Sequence, residues 1–254
     1  PELIANVPIG LLPTCEKLSD EIIVYSFIED ECPNLIEILP QLFQSEAKYL
    51  RPALIISKSV CRKIKNPDDK NLQVFSEFAP HIFPLLAALC KECDDLLLLN
   101  YCYHCLSRLL FNLNEITEQL LQSHGEVCYG KFMSLALNPP EQIDEKFVKF
   151  LIEGVKFLNR ISEKLSNEQF ENIFQLINIV FQFPSSQGKI KAKIMSLLNT
   201  IVIENKRYDV FESHMQLIME IIFSQLMITN EDIENMENDP EAFIQANPQA
   251  NYKW

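Results

Sequence analysis

A chain of 254 residues with 48% hydrophobic content is long enough for one large domain or two small ones, each with a sizeable core. A formal charge of −13 disfavours the clustered cations of a nucleic-acid face and favours basic protein partners instead. Five Gly in the whole chain argue against β-hairpins, phosphate loops and nucleotide-binding turns together.

In chain order, Cys15–Glu29 reads as a helix whose apolar stripe runs through Leu18 and Ile22, with Thr14 as its cap. Cys32-Pro33 ends it. Residues 33–43 form a short helix with Leu35, Leu39 and Leu42 on one side, bent at Pro40. A third, Glu46–Ile64, places Leu50, Leu54, Ser57, Cys61 and Ile64 at steps of four and three, and Arg62, Lys63 and Lys65 suit its negative end. Asn66-Pro67-Asp68-Asp69 is a turn, after which Asn71–Lys91 resumes the helical period through Phe75, Phe78, Ile82, Leu86 and Leu89, with kinks expected at Pro80 and Pro84.

Residues 96–113 are apolar on most sides and are expected between neighbours. A helix through Ile116, Leu120 and Leu121 follows, then a second run over 126–137, stopped at Asn138-Pro139-Pro140. Beyond it, Ile143, Phe147, Leu151, Val155, Leu158 and Ile161 mark one helix and Phe170, Ile173, Phe174, Ile177 and Phe181 the next. Ile190, Ile194, Leu197, Leu198 and Ile201 mark another, and Tyr208 to Leu226 a last long one. No period-2 strand pattern occurs, so the fold class is all-α.

These helices pair, with first members beginning near Cys15, Ala47, Leu96, Gln142 and Gly188, at steps of roughly 32, 49, 46 and 46 residues. The later steps approach the period of HEAT and armadillo units. The expected architecture is therefore a right-handed α-solenoid of about five stacked antiparallel helix pairs, one continuous segment over 1–254. A compact irregular bundle is the structural alternative.

No charged-then-apolar leader opens the sequence, and the most apolar stretch, 96–113, holds Asn100, His104, Ser107, Arg108 and Asn112. Neither a signal peptide nor a membrane span is expected. Eight Cys are then expected as reduced thiols, several of them in core positions. Pro1 at the start and a new helix beginning near the end lead us to expect a piece of a longer protein.

Cys90-x-x-Cys93 and Cys102-x-x-Cys105 contain the ligand types of a tetrahedral zinc site. Zinc ribbons, however, hold their pairs about 15–20 residues apart on tight turns, whereas eight residues separate these, within Leu-rich helices. Packing at a helix hairpin explains them, and no metal or cofactor is expected. No nucleophile elbow, zincin helix or phosphate loop is present, so no catalysis is expected either.

One stretch stands apart. Residues 229–244, TNEDIENMENDPEAFI, hold Glu231, Asp232, Glu234, Glu237, Asp239 and Glu241 and no Lys or Arg. Six carboxylates exclude a core, and Asp239-Pro240 reads as a helix start. By itself this is a solvated loop; after five helix pairs it becomes an inter-repeat insert suited to a basic partner.

Three passages together resemble the importin-β (karyopherin) nuclear transport receptors, particularly the importin-7/importin-8 branch. Leu18-Ser19-Asp20-Glu21-Ile22-Ile23, followed by an acidic-Cys-Pro turn and LIEILPQLF, is similar to that family's helix, acidic-aromatic-Pro turn and Leu-Leu-Pro helix, with Cys32 where an aromatic is usual. Residues 75–89 are similar to the long helix near its fourth repeat. Residues 211–244 resemble a second helix ending in an acidic Trp-Glu-x-Asp-Pro-Glu-Glu-Phe-Ile insert, with Met236 in the Trp position and Asp239, Pro240, Glu241, Phe243 and Ile244 matching. The resemblance implies a receptor shuttling between cytoplasm and nucleus, with import more expected than export. It would bind cargo with basic surfaces on the layer of second helices, make weak contacts with Phe-Gly nucleoporins and be regulated by the GTP form of the Ran GTPase. Neither nucleic acid nor membrane is expected as a direct partner. A HEAT scaffold or adaptor unrelated to transport, and a zinc-dependent regulatory domain, are the readings from other classes.

Overall fold

The computed structural model describes residues 14, 17–21, 32–63, 69–111, 115–183, 188–226 and 237–238. Among the described residues every regular element is helical. In chain order these are α1 (Cys32–Gln44), α2 (Leu50–Lys63), α3 (Asp69–Glu92), α4 (Leu96–Leu109), α5 (Glu115–Ala136), α6 (Glu145–Ile161), α7 (Asn167–Phe181), α8 (Gly188–Asn199), α9 (Tyr208–Glu212) and α10 (Met215–Leu226). Contacts divide the chain into two compact units, residues 1–207 and 208–254.

In the first unit, helices α1 to α6 and α8 pack mainly against a next-but-one neighbour, while α7 divides its contacts between α5 and α8. Helix α3 lies along α1 and α5, and α5 touches α7; α4 lies along α2 and α6, and α6 along α8. Consecutive helices also touch: α1 with α2, α3 with α4, α5 with α6 and α7 with α8. Two layers result, odd-numbered helices in one and even-numbered helices in the other. Each helix therefore needs apolar residues facing both its own layer and the opposite one, which is why α4 is buried almost without interruption from Leu99 to Leu109.

The core between the layers is aromatic. Tyr103 of α4 sits edge-on to Phe132 of α5 and to Phe150 and Phe157 of α6, with centroids 5.6, 5.7 and 5.6 Å away. Its hydroxyl donates to the Cys128 carbonyl of α5 at 2.7 Å. Gly154 completes this junction: a Cβ there would lie 1.9 Å from Phe132 Cε2, so only glycine lets the ring rest on the α6 backbone.

Local signals explain the helix ends. Asp95 accepts from Leu97 N–H at 2.8 Å and Leu98 N–H at 3.3 Å at the start of α4. Asp144 accepts from Phe147 N–H at 2.8 Å at the start of α6. At α7 Ser166 and Gln169 form a reciprocal capping box. Helix α8 widens into a π-helical turn over Thr200–Glu204, and Lys206, with φ 55°, ends the first unit's helices in the left-handed region.

Three expectations change. The runs on either side of Gly125 are one helix, α5, because Thr117, the half-buried Leu121, Gly125, Cys128, Phe132 and Ala136 keep steps of three and four along one face. The single helix expected from Tyr208 to Leu226 is two, interrupted at Ser213-His214. Leu18, placed on an apolar stripe, is 56% exposed, and Ser19 faces inward instead. Helix α3 runs through Pro80 and Pro84 as one helix, and α1 runs through Pro40.

In the second unit α9 buries Val210 and Phe211, α10 buries Ile218 and Ile221, and Met215 and Met219 remain exposed.

Candidate functional site

Glu231, Asp232, Glu234, Asp239 and Glu241 of the acidic insert lie outside the described residues, and Glu237 is described and exposed. The candidate surfaces that the structure describes are the outer faces of the two layers in the first unit.

Charge separates between these layers. Of the 22 Lys and Arg in the chain, twelve lie on even-numbered helices: four on α2, one on α4, four on α6 and three on α8. Two carboxylates, Glu145 and Glu153, accompany them. On α1, α3, α5 and α7 the described side chains reverse this ratio, with eight carboxylates to two cations, Lys91 and Lys131. The net charge of −13 is thus unevenly divided between the helices of the first unit, with the carboxylates concentrated on one layer.

The acidic layer holds a cleft of about 280 Å³ between α5, the end of α6 and the start of α7, lined by Glu118, Leu121, Gly125, Glu126, Tyr129 and Lys164 among others. Gly125 keeps it open, since an added Cβ would crowd Leu121 at 3.3 Å. Lys164 reaches Glu118 at 3.0 Å, and Glu126 accepts from Gln169 at 2.9 Å. Tyr129, whose hydroxyl donates to the Gln169 carbonyl at 2.9 Å, forms part of the wall. Two carboxylates beside an aromatic ring are chemistry that accepts a Lys or Arg side chain.

On the basic layer one cleft of about 500 Å³ involves the earlier parts of α4, α6 and α8, with Asn100, Glu145, Lys149, Glu153 and Lys189. Beneath it, His104 Nδ1 meets Glu153 Oε2 at 3.1 Å, and Lys156 meets Glu153 Oε1 at 2.6 Å. Burial holds the His104 imidazole below its ordinary range against the opposing pull of Glu153, which keeps it neutral at pH 7. Burial pushes the Glu153 carboxyl up, yet the His104 hydrogen bond, the charge His104 takes on in acid and Lys156 together outweigh it and hold the group at about 2. His104 Nε2 is buried without a hydrogen-bond partner.

The cysteines do not gather as the two C-x-x-C pairs; Cys90 of α3 meets Cys102 of α4 and Cys128 of α5 in one buried group, and Cys93 stays apart. Cys90 and Cys102 approach at 3.4 Å between α3 and α4, with the Cys102 thiol donating to the Leu86 carbonyl at 3.3 Å. Cys93 accepts from Asp95 N–H at 3.3 Å, and Cys105 pairs with Cys61 of α2. Burial pushes the Cys102 thiol well up, so it stays protonated. Among the described residues no group of three or more Cys, His, Asp or Glu is placed to hold a metal ion.

Comparison with family models, with curated proteins and with solved structures finds no match to this chain. Functional assignment therefore rests on these surfaces and on the order of the sequence motifs. No helix among the described residues is long and apolar enough to cross a membrane.

Proposed function

We propose that this chain is a segment of an importin-β-type nuclear transport receptor, built as a right-handed solenoid of HEAT-like pairs, whose second helices bind cargo with basic surfaces. The observation that carries this reading is the charge of the layer formed by α1, α3, α5 and α7. These are the second members of the pairs marked in the sequence, and they hold eight described carboxylates against two cations. A basic cargo approaching that layer is attracted from several ångströms away, and its encounter rate falls with salt. The cleft at Glu118 and Glu126 takes one cationic side chain, and the acidic insert at Glu231, Asp232, Glu234, Glu237, Asp239 and Glu241 adds a second anionic contact for cargo or for Ran. The segment works by reversible binding, without catalysis or a cofactor, in a receptor that shuttles between cytoplasm and nucleus.

Support comes from the next-but-one packing, which a stack of helix pairs requires, and from the order of motifs along the chain. Titrating the chain with a labelled Lys- and Arg-rich peptide tests the reading. Glu118→Lys with Glu126→Lys should weaken binding about tenfold, and reversing Glu234, Glu237 and Asp239 should weaken it further. Parallel titrations with a Phe-Gly repeat peptide and with GTP-loaded Ran, using a full-length receptor, separate a transport receptor from a HEAT scaffold: the scaffold binds neither. A basic peptide that does not bind at low salt overturns the proposal.

A further inference from the structure

The basic layer has its own concavity. The later parts of α4, α6 and α8 enclose a cleft of about 270 Å³ whose lining includes Arg108, Lys156, Arg160 and Lys193, with Ser107 and Asn159 as neutral hydrogen-bonding groups and no carboxylate. Lys156 is committed to Glu153 at 2.6 Å. Arg108, Arg160 and Lys193 make no ion pair with any described residue. Arg160 stacks on Phe111, 4.4 Å from the ring centroid, which fixes its guanidinium plane at the cleft wall. Burial, then the nearby Arg108 charge, lowers Arg160's hold on its proton, and the more weakly felt Glu204 carboxylate opposes them.

Helix polarity alone does not account for this cluster. Arg108 and Arg160 lie in the last turns of α4 and α6, where each helix end contributes about half a negative charge. Three full charges exceed that by about two units, and the Glu204 charge felt at Arg160 offsets at most one of them, so the potential in the cleft is positive.

We propose that this cleft is a docking site for a carboxylate-rich segment of a partner polypeptide, laid across α4, α6 and α8. Neighbouring helix axes lie about 8–10 Å apart, so three helices span about 16–20 Å, the length of roughly six extended residues. Glu or Asp side chains of such a segment pair with the two guanidinium groups, to which carboxylates dock in bidentate fashion, while Lys193 at the rim adds a point charge. The exposed ring of Phe111 supplies an apolar ledge beside them. A nucleic-acid duplex fits less well, because its phosphates continue beyond the cleft toward a molecule whose remaining charge is strongly negative. The site is distinct from the acidic layer and does not depend on the transport reading.

The test is fluorescence anisotropy of a labelled peptide of alternating Glu and Ser with the whole chain at low salt. Lys193→Glu, at an exposed position where folding is not at stake, should weaken binding about fivefold, and Arg108→Glu with Lys193→Glu about thirtyfold. Lys91→Glu, the same change of charge on exposed α3 of the opposite layer, should alter it less than twofold. Circular dichroism confirms that each variant retains its helices. Full affinity in the double variant overturns the proposal, as does a loss in Lys91→Glu equal to that in Lys193→Glu. A DNA duplex that displaces the peptide and binds more tightly assigns the cleft to nucleic acid and likewise overturns it.

Discussion

The odd and even helices of the first unit share a core and differ almost completely at the surface. Both layers bury Phe, Leu and Ile at steps of three and four, and Tyr103 and Phe132 join them through the same aromatic cluster. Outside that core one layer is anionic and the other cationic. Stacking constrains the inward faces of a helix pair and leaves the outward faces free, so one repeat can present opposite chemistry on its two sides. Substitutions in the shared core should therefore affect both layers, and those on an outward face only one.

The largest effect is expected at Gly154. Gly154→Ala drives a methyl into Phe132 at the junction of α5 and α6, and the ring has Tyr103 and Phe150 against it, with no free space to retreat. A loss of about 3 kcal/mol is expected in urea unfolding. The companion Phe132→Ala removes the ring and costs about 3–5 kcal/mol by itself. In the double variant the clash is gone, so the two losses should fall well short of additive. Additive losses would mean that the cost at Gly154 does not arise from Phe132, since helix propensity by itself favours alanine there.

Next is Glu153, a half-buried carboxylate of the basic layer. Glu153 is held at about 2, below its ordinary 4.5, so its contribution is complete above pH 4.5 and disappears as pH falls toward 2. His104, also held down, loses its contribution below about pH 6.5, where the unfolded imidazole binds a proton that the folded one resists. Both slopes have the same sign: acid destabilises. Glu153→Gln should remove about 2 kcal/mol at pH 7 and flatten the acid limb of a stability–pH curve. An unchanged limb would place the acid sensitivity elsewhere.

A smaller effect belongs to the caps. Asp144→Ala on the basic layer and Ser166→Ala on the acidic one each remove a side-chain acceptor from a helix start and should each cost about 1 kcal/mol in thermal or urea unfolding. Equal losses would locate the difference between the layers in their outward charges and not in how their helices are built.

How much of this was legible in the sequence depends on whether a feature is local. The Phe147, Leu151, Val155, Leu158, Ile161 period marks α6 without reference to anything else, and Asp95 reads as a cap because its partners are two and three residues away. The runs before and after Gly125 read as two because their apolar residues are sparse between Leu121 and Val127; the buried stripe nevertheless continues through Gly125, which packs against Leu121. Net charge conceals a further feature. Summation over 254 residues hides two populations of opposite sign, and they separate only when each helix is assigned to a layer. Counting charge helix by helix, alternately, would have revealed it. The Arg108–Arg160–Lys193 cluster joins residues from three helices, which no local pattern connects.

The smallest structural effect should carry the clearest functional one. Lys164 is the single cation lining the acidic cleft, where it pairs with Glu118 at 3.0 Å while both side chains remain about half exposed. An ion pair so exposed contributes little to folding, and Lys164→Ala should change unfolding stability by less than about 0.5 kcal/mol. The same change leaves Glu118 and Glu126 facing the cleft without a competing ammonium group. Affinity for a Lys- and Arg-rich peptide should rise about threefold at low salt and return to the original value as salt screens the difference. Binding of a Glu-rich peptide to the opposite layer should not change, because α4, α6 and α8 supply all the cations that line that cleft. If both affinities move together, the two faces are electrostatically one surface, and the division between layers carries no functional meaning.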